Sequence, residues 1–159
     1  MRSEPEAVAR VRAALLERGW TGEILTFPEG TASAADAAAA IGCELAQIAK
    51  SIVFRSADGP VLVVASGANR VDRAKAEAAF GAGLKSAGPD WVLERTGFPA
   101  GGVAPIGHAS ATPTLIDEDL AAFETVWAAA GSPTHVFRTS ADELVRLTGG
   151  RLASVRQDQ

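Results

Sequence analysis

Two runs decide the architecture of this chain: Ile48-Ala49-Lys50-Ser51-Ile52-Val53-Phe54-Arg55 and Val61-Leu62-Val63-Val64-Ala65-Ser66. Both are apolar and rich in β-branched residues, and Ala57-Asp58-Gly59-Pro60 between them is turn chemistry. The spacing predicts a β-hairpin. Upstream, Val8, Val11, Leu15 and Leu16 fall at i, i+3, i+7 and i+8 of a helix over 5–18 that Gly19 ends. EILTF (23–27) reads as a short strand before the turn Pro28-Glu29-Gly30. Thr31 or Ser33 then caps an alanine-rich helix running to Ile41-Gly42. Downstream, 69–81 looks helical, and PDWVLERTG (89–97) has Pro near its first turn and Gly past its end. TLID (114–117), ETVWAAA (124–130) and THVFRTS (134–140) read as strands. Ser140 and Glu143 open a last helix before the strand RLASV (151–155). Helices and strands mix without strict βαβ alternation. The expectation is an α+β or mixed α/β single domain over 1–159, with a twisted, largely antiparallel sheet flanked by helices.

Composition narrows the class. Of 159 residues 47% are apolar and 21% charged, enough for one core and unlike a disordered chain. Thirty-three are alanine, and large anchors are few: no Tyr, six Phe and three Trp. Fifteen basic against nineteen acidic residues give a net charge of -4, which argues against a general nucleic-acid coat and leaves room for a local basic patch. A single cysteine, Cys43, excludes an internal disulfide framework and any multi-cysteine metal site. The start MRSEPEAVAR carries two acids and no apolar run, unlike a secretory leader. No stretch suits a membrane span. These features predict a soluble, cytoplasmic protein.

Few residues suggest chemistry. GAGLKS (81–86) resembles a phosphate loop at first sight. Leu84 separates Gly83 from Lys85, however, and the leading glycine is missing, so it reads as a helix cap leading into a strand. His108 and His135 lie 27 residues apart with no metal-ligand spacing around them, so neither metal nor cofactor is expected. No nucleophile elbow occurs, and Cys43 reads as packing. Trp91 and Trp127 read as core rather than base-stacking platforms. Lys50 is the exception, a cation inside an apolar strand. It either points to water from an alternating position or stands at a pocket wall, where low dielectric makes it effective against developing negative charge. The second candidate is 97–107, GFPAGGVAPIG, with four Gly and two Pro in eleven positions. Glycines permit close backbone approach and leave N–H groups free for an anion or carbonyl oxygen.

Together these segments resemble the YbaK and prolyl-tRNA synthetase editing domains, which are aminoacyl-tRNA deacylases. The likeness runs from about residue 31 to 155. It rests on TASAADAAAAIG, QIAKSIVF, SGANRVDRAK, TGFPAGGVAPIGH, TLIDEDL and AAAGSPTHVFRTSADELVRLTGG. Gly101-Gly102-Val103-Ala104-Pro105 looks like the family's G-x-x-x-P motif, and Lys50 falls at its pocket lysine. Asp117 falls at an acidic position, His135 at a substrate-side histidine, and Thr31 at a pocket threonine. The resemblance implies a mixed α/β domain that hydrolyses the ester of a mischarged tRNA, usually a prolyl tRNA. Water would attack directly, activated by the substrate's own ribose hydroxyl. The N–H groups of 101–105 would hold the carbonyl oxygen, and Lys50 would anchor the phosphate end of the terminal adenosine or help to polarise the carbonyl. Asp117, His135 and His108 would shape the pocket, with Asp117 contacting the α-ammonium. Arg70, with Arg73 and Lys75, would grip the acceptor end. Prolyl-tRNA synthetase or an elongation factor is a candidate partner for delivering the tRNA. Two alternatives stand beside this reading: a binding module of the same fold without activity, and an enzyme using Lys50 as a Schiff-base nucleophile.

Overall fold

The computed structural model describes residues 4–158. The hairpin forms its centre. Strands β2 (Ile48–Ser56) and β3 (Gly59–Ser66) pair antiparallel from Ala49 opposite Ser66 to Ser56 opposite Gly59. The reversal needs Gly59 at φ 126, a conformation costly for any other residue. Outside β3 lie β5 (Thr114–Asp117) and then β8 (Arg151–Ala153), both added parallel. Outside β2 lie β6 (Val126–Ala129), parallel to it, then β7 (His135–Thr139) and β1 (Ile24–Thr26), each antiparallel to its neighbour. The two-residue β4 (Lys85–Ser86) also pairs antiparallel with β2. The eight-stranded sheet is therefore mixed, with antiparallel pairing predominant, as expected of a chain without strict βαβ alternation.

One detail of this topology makes the site. β3 occupies one edge of β2 along its whole length, so β6 and β4 share the other. β6 takes Ile48 and Ala49, and β4 takes Phe54 and Arg55. Residues 50–53 are left facing a gap in the sheet.

Helices close both faces. Alternation along β2 turns Ala49 and Val53 toward the larger core. Buried there are Val11 and Leu15 of α1 (Glu6–Glu17), Val92 of α4 (Pro89–Thr96), and Leu144 and Leu147 of α5 (Ala141–Thr148). The opposite face carries two smaller clusters. Ile48 packs with Ala37 and Ala38 of α2 (Ala34–Ile41), and Phe54 packs with Ala76 of α3 (Arg73–Phe80). Lys50 emerges between them.

Local chemistry sets the helix ends. Ser33, not Thr31, caps α2 by accepting from the N–H of Asp36 (3.0 Å). Asp72 and Ser140 cap α3 and α5 in the same way. Glu143 does not close a capping box, because its carboxylate accepts from the Thr139 hydroxyl (2.7 Å). Of the stripe expected on α1, Val8, Val11 and Leu15 are fully buried while Leu16 is 60% exposed. At 100° per residue, Leu16 falls off the edge of the buried arc. GAGLKS behaves as a cap leading into a strand, with Gly81 ending α3 in the left-handed conformation and Lys85 opening β4. Among the described residues no helix is long and apolar enough to cross a membrane.

Candidate active site

The gap beside residues 50–53 opens into a pocket of about 290 Å³. Its walls come from Lys50, Ser51 and Ile52 of β2, Thr31 and Ala32 before α2, Gly101 and Val103, and Trp127 and Val136 of the outer strands. Alanines 32, 34, 37, 128 and 129 make much of its lining small and apolar. The volume lies at the small end of ligand sites.

Lys50 is held from behind. Its Nζ donates to the carbonyl oxygen of Asn69 at 2.5 Å. The Asn69 amide in turn donates to Asp117 Oδ2 (2.9 Å) and Asp119 Oδ2 (2.8 Å). Burial lowers the Lys50 ammonium below the ordinary lysine value, and repulsion from Arg70 lowers it further, while Asp117 pulls the other way. Arg70 is exposed at the rim on this side. Of the companions expected for it, Lys75 is engaged by Asp158 (2.7 Å) and the Arg156 carbonyl (2.8 Å).

The glycine loop is a fixed structure. A Cβ on Gly101 would stand 2.9 Å from the Ala32 Cβ, and one on Gly102 would stand 2.7 Å from the Ser132 backbone. The loop is thus wedged between the pocket wall at Ala32 and the backbone of Ser132 at a separation only glycine permits. The N–H of Gly102 donates to the Pro99 carbonyl (3.0 Å). Those of Gly101 and Val103 meet no acceptor among the described residues. Ala104 and Pro105 are buried away from the pocket, Ala104 within the larger core. Five residues of the loop were candidates, and two of them line the pocket.

Three other candidates stand outside it. Asp117 is 1% exposed and filled: Oδ2 accepts from the Ser66 N–H (3.0 Å) and the Asn69 amide, and Oδ1 from the Asp119 N–H (2.9 Å). It holds the residue that holds Lys50, and has no free oxygen to offer a substrate ammonium. His135 begins β7, and its Nδ1 bonds the hydroxyls of Ser132 (2.5 Å) and Thr134 (3.1 Å). Burial is the main cause that lowers its pKa below the ordinary histidine value; Glu4 raises it and Arg12 lowers it. His108 packs edge-on against Phe98 and donates Nε2–H to the Ala104 carbonyl (2.7 Å). It fastens the loop rather than lining the pocket. Thr31 does line it, but its hydroxyl is committed to the Pro133 carbonyl (3.0 Å).

His108 carries a pH consequence. Burial is the main cause that lowers its ionisation from the ordinary 6.5, and its buried Nδ1 has no hydrogen-bond partner. The unfolded chain therefore takes up a proton before the folded chain does, so stability falls as pH drops through about 6.5 toward the lower folded value. The melting temperature should decline from pH 7 to pH 5, and His108→Gln should flatten that decline. An unchanged pH profile in the variant would refute the assignment.

Two residues that matter escape sequence reasoning. Asn69 sits in a turn and acts through a backbone carbonyl, which no side-chain pattern signals. Ser51 Oγ is buried, lines the pocket and has no hydrogen-bond partner. Its only sequence signal is a second polar residue beside Lys50 in the same apolar run. Cys43 is partly buried beside α2, and burial pushes its thiol up, away from thiolate chemistry. Among the described residues, no group of histidines, cysteines and carboxylates could hold a metal ion.

The fold is shared with known proteins. A crystal structure of a candidate trans-editing enzyme for prolyl tRNA synthetase superposes with a TM-score of 0.91 at 41% identity, over 98% of this chain and all (100%) of that one. The crystal structure of a protein designated APE2540 gives 0.86 at 28% identity, over 93% and 99% of the two chains. The uncharacterised protein YwhH of Bacillus subtilis (strain 168) is 36% identical over 123 residues, 77% of this chain and 78% of its own. The pattern that defines the aminoacyl-tRNA editing domain matches residues 28–147, and the chain belongs to that family.

Proposed function

We propose that the protein is a trans-acting deacylase that hydrolyses the ester between a small, wrongly attached amino acid and the 3′ end of a tRNA, with a prolyl tRNA as the carrier. The carrying observation is the pairing, in one narrow pocket, of the anchored Lys50 ammonium with the unpartnered N–H groups of Gly101 and Val103. Ester hydrolysis needs such a set. Water attacks the carbonyl carbon, the carbonyl electron pair moves to oxygen, and that oxygen must be stabilised as it becomes negative. Collapse of the intermediate expels the ribose oxygen, which takes up the proton lost by the water. The ribose hydroxyl next to the ester activates the water, so the chain needs no general base of its own. Filled Asp117 and the place of His135 outside the pocket lining agree with that division of labour.

Discrimination by exclusion would fall to the larger lining side chains, Ile52, Val103, Trp127 and Val136. A pocket cannot reject a smaller side chain by more than about 1–3 kcal/mol per methylene, which is why synthetases need a second site that admits the small error and excludes the larger cognate. Single-turnover deacylation of prolyl tRNA carrying Ala, Cys, Ser or Pro tests it. The rate should be highest for Ala or Ser and lowest for Pro. Equal rates across the panel would overturn the size sieve. No hydrolysis of any species, with and without prolyl-tRNA synthetase present, would overturn the deacylase reading in favour of a binding module.

A further inference from the structure

A second site lies farther along the same strand. Arg55 of β2 and Lys85 of β4 are direct register partners in an antiparallel pair, so their side chains share one face. Like charges placed directly opposite across strands are destabilising. A third cation joins them, because the guanidinium carbons of Arg55 and Arg95 lie 5.8 and 5.2 Å from the centre of the Trp91 ring. Among the described residues, none of the three cations forms a salt bridge. They line a groove of about 680 Å³. Two carboxylates also border it. Glu77 is turned to the Leu84 N–H (2.7 Å), and Asp58 sits at the hairpin tip. In a chain of net charge -4, with nineteen acids available to neutralise them, two arginines on one aromatic ring and a lysine paired with one of them, none in a salt bridge among the described residues, form an incomplete site. What completes it is an anion with a flat face beside it.

We infer that this groove receives the RNA backbone of the tRNA acceptor end, with phosphates between Arg55, Lys85 and Arg95 and a nucleoside against Trp91. The inference rests on the deacylase reading for the identity of the RNA. Charge and stacking together are the signature of single-strand binding, in which Lys and Arg meet phosphates and aromatic rings meet bases. Position constrains the path. Arg55 stands five residues from Lys50 on one continuous strand, about 16 Å at 3.3 Å per residue, a span that a few nucleotides cover. Alternation puts the two side chains on opposite faces of β2, so RNA joining the two sites crosses the strand edge at the gap beside residues 50–53. The groove also explains how an acidic protein grips a polyanion: the basic surface is local.

The test is binding of uncharged tRNA across a salt series, followed by fluorescence anisotropy, for the wild type and for Lys85→Ala/Arg95→Ala. Neither side chain donates a hydrogen bond within the described residues, so the fold does not depend on them. Removing a like charge opposite Arg55 should leave the melting temperature unchanged or higher. Affinity should fall about tenfold or more at low salt. The slope of log K against log salt should shrink by roughly 1.4, the loss of two single-strand phosphate contacts. Arg95→Glu should weaken binding further, and Trp91→Leu should weaken it while leaving the salt slope alone. Unchanged affinity and slope in the double variant would overturn the groove, as would displacement of the tRNA by polyglutamate as effective as that by single-stranded RNA. Since the tRNA is uncharged, the result does not depend on catalysis. Groove-dependent binding by a protein that hydrolyses nothing would sink the deacylase reading alone. Hydrolysis with groove-independent binding would sink the groove alone.

Discussion

Lys50→Ala should lower single-turnover deacylation by about 10²-fold, the scale of losing one preorganised electrostatic donor. The side chain is partly buried, and its removal leaves the carbonyl oxygen of Asn69 free for water, so the fold should tolerate the change. Lys50→Arg should not restore full activity, because a planar guanidinium cannot reproduce a compact ammonium at that distance from Asn69. The pH dependence follows from the same environment. Burial and Arg70 lower the ammonium's pKa, so its charge is lost as pH rises at a point below the usual lysine range. The ratio of wild-type to Lys50→Ala rate should therefore shrink at alkaline pH. Activity within a few-fold of wild type at pH 7 would remove Lys50 from the mechanism.

Asp117→Ala should produce the largest loss of stability of any single change near the site. The carboxylate is 1% exposed and accepts from Ser66 N–H, the Asn69 amide and Asp119 N–H. Each buried donor left without a partner costs roughly 1–3 kcal/mol, and partial water entry limits the sum to about 3–5 kcal/mol. Urea unfolding measures this directly. The variant should also lose activity, because the Asn69 side chain then keeps only Asp119, its backbone N–H keeps only the Ser66 carbonyl, and the anchor of Lys50 loosens. Asp117→Asn should fall between, since its amide nitrogen faces one of the N–H donors. A destabilisation under 1 kcal/mol would show that the network is replaceable. A raised KM with unaltered kcat would place Asp117 on the substrate rather than behind Lys50.

The hairpin, the helix caps and nearly every strand were legible because each depends on neighbours in sequence. Alternation, Gly and Pro punctuation and polar caps all act within a few residues. The site was legible where a residue contradicts its surroundings: Lys50 in an apolar strand, and Gly101-Gly102 in a loop too permissive to be filler. It was not legible where function depends on direction. Nothing in GGVAP says that the Gly102 N–H is spent on Pro99 while its neighbours are free. Nothing in TLID says that the Asp117 carboxylate turns inward to Ser66 and Asn69. Trp91, read as core, packs against the larger core but is only partly buried, and it meets Arg95 of its own helix and Arg55 of a strand distant in sequence.

The gap in the sheet beside β2 also constrains the order in which the chain becomes competent. The hairpin β2–β3 closes locally, but the pocket walls come from residues 31–37, 48–52, 101–103, 127–129 and 136. β1 pairs with β7 across more than a hundred residues, joining Ile24 to Phe137. Contacts so distant form late, because closing the intervening chain costs entropy before any pairing repays it. A chain emerging from the ribosome therefore carries a finished hairpin long before it has anywhere to bind an ester. Truncation between the hairpin and the glycine loop yields a fragment that has Lys50 but lacks the walls at 101–103, 127–129 and 136.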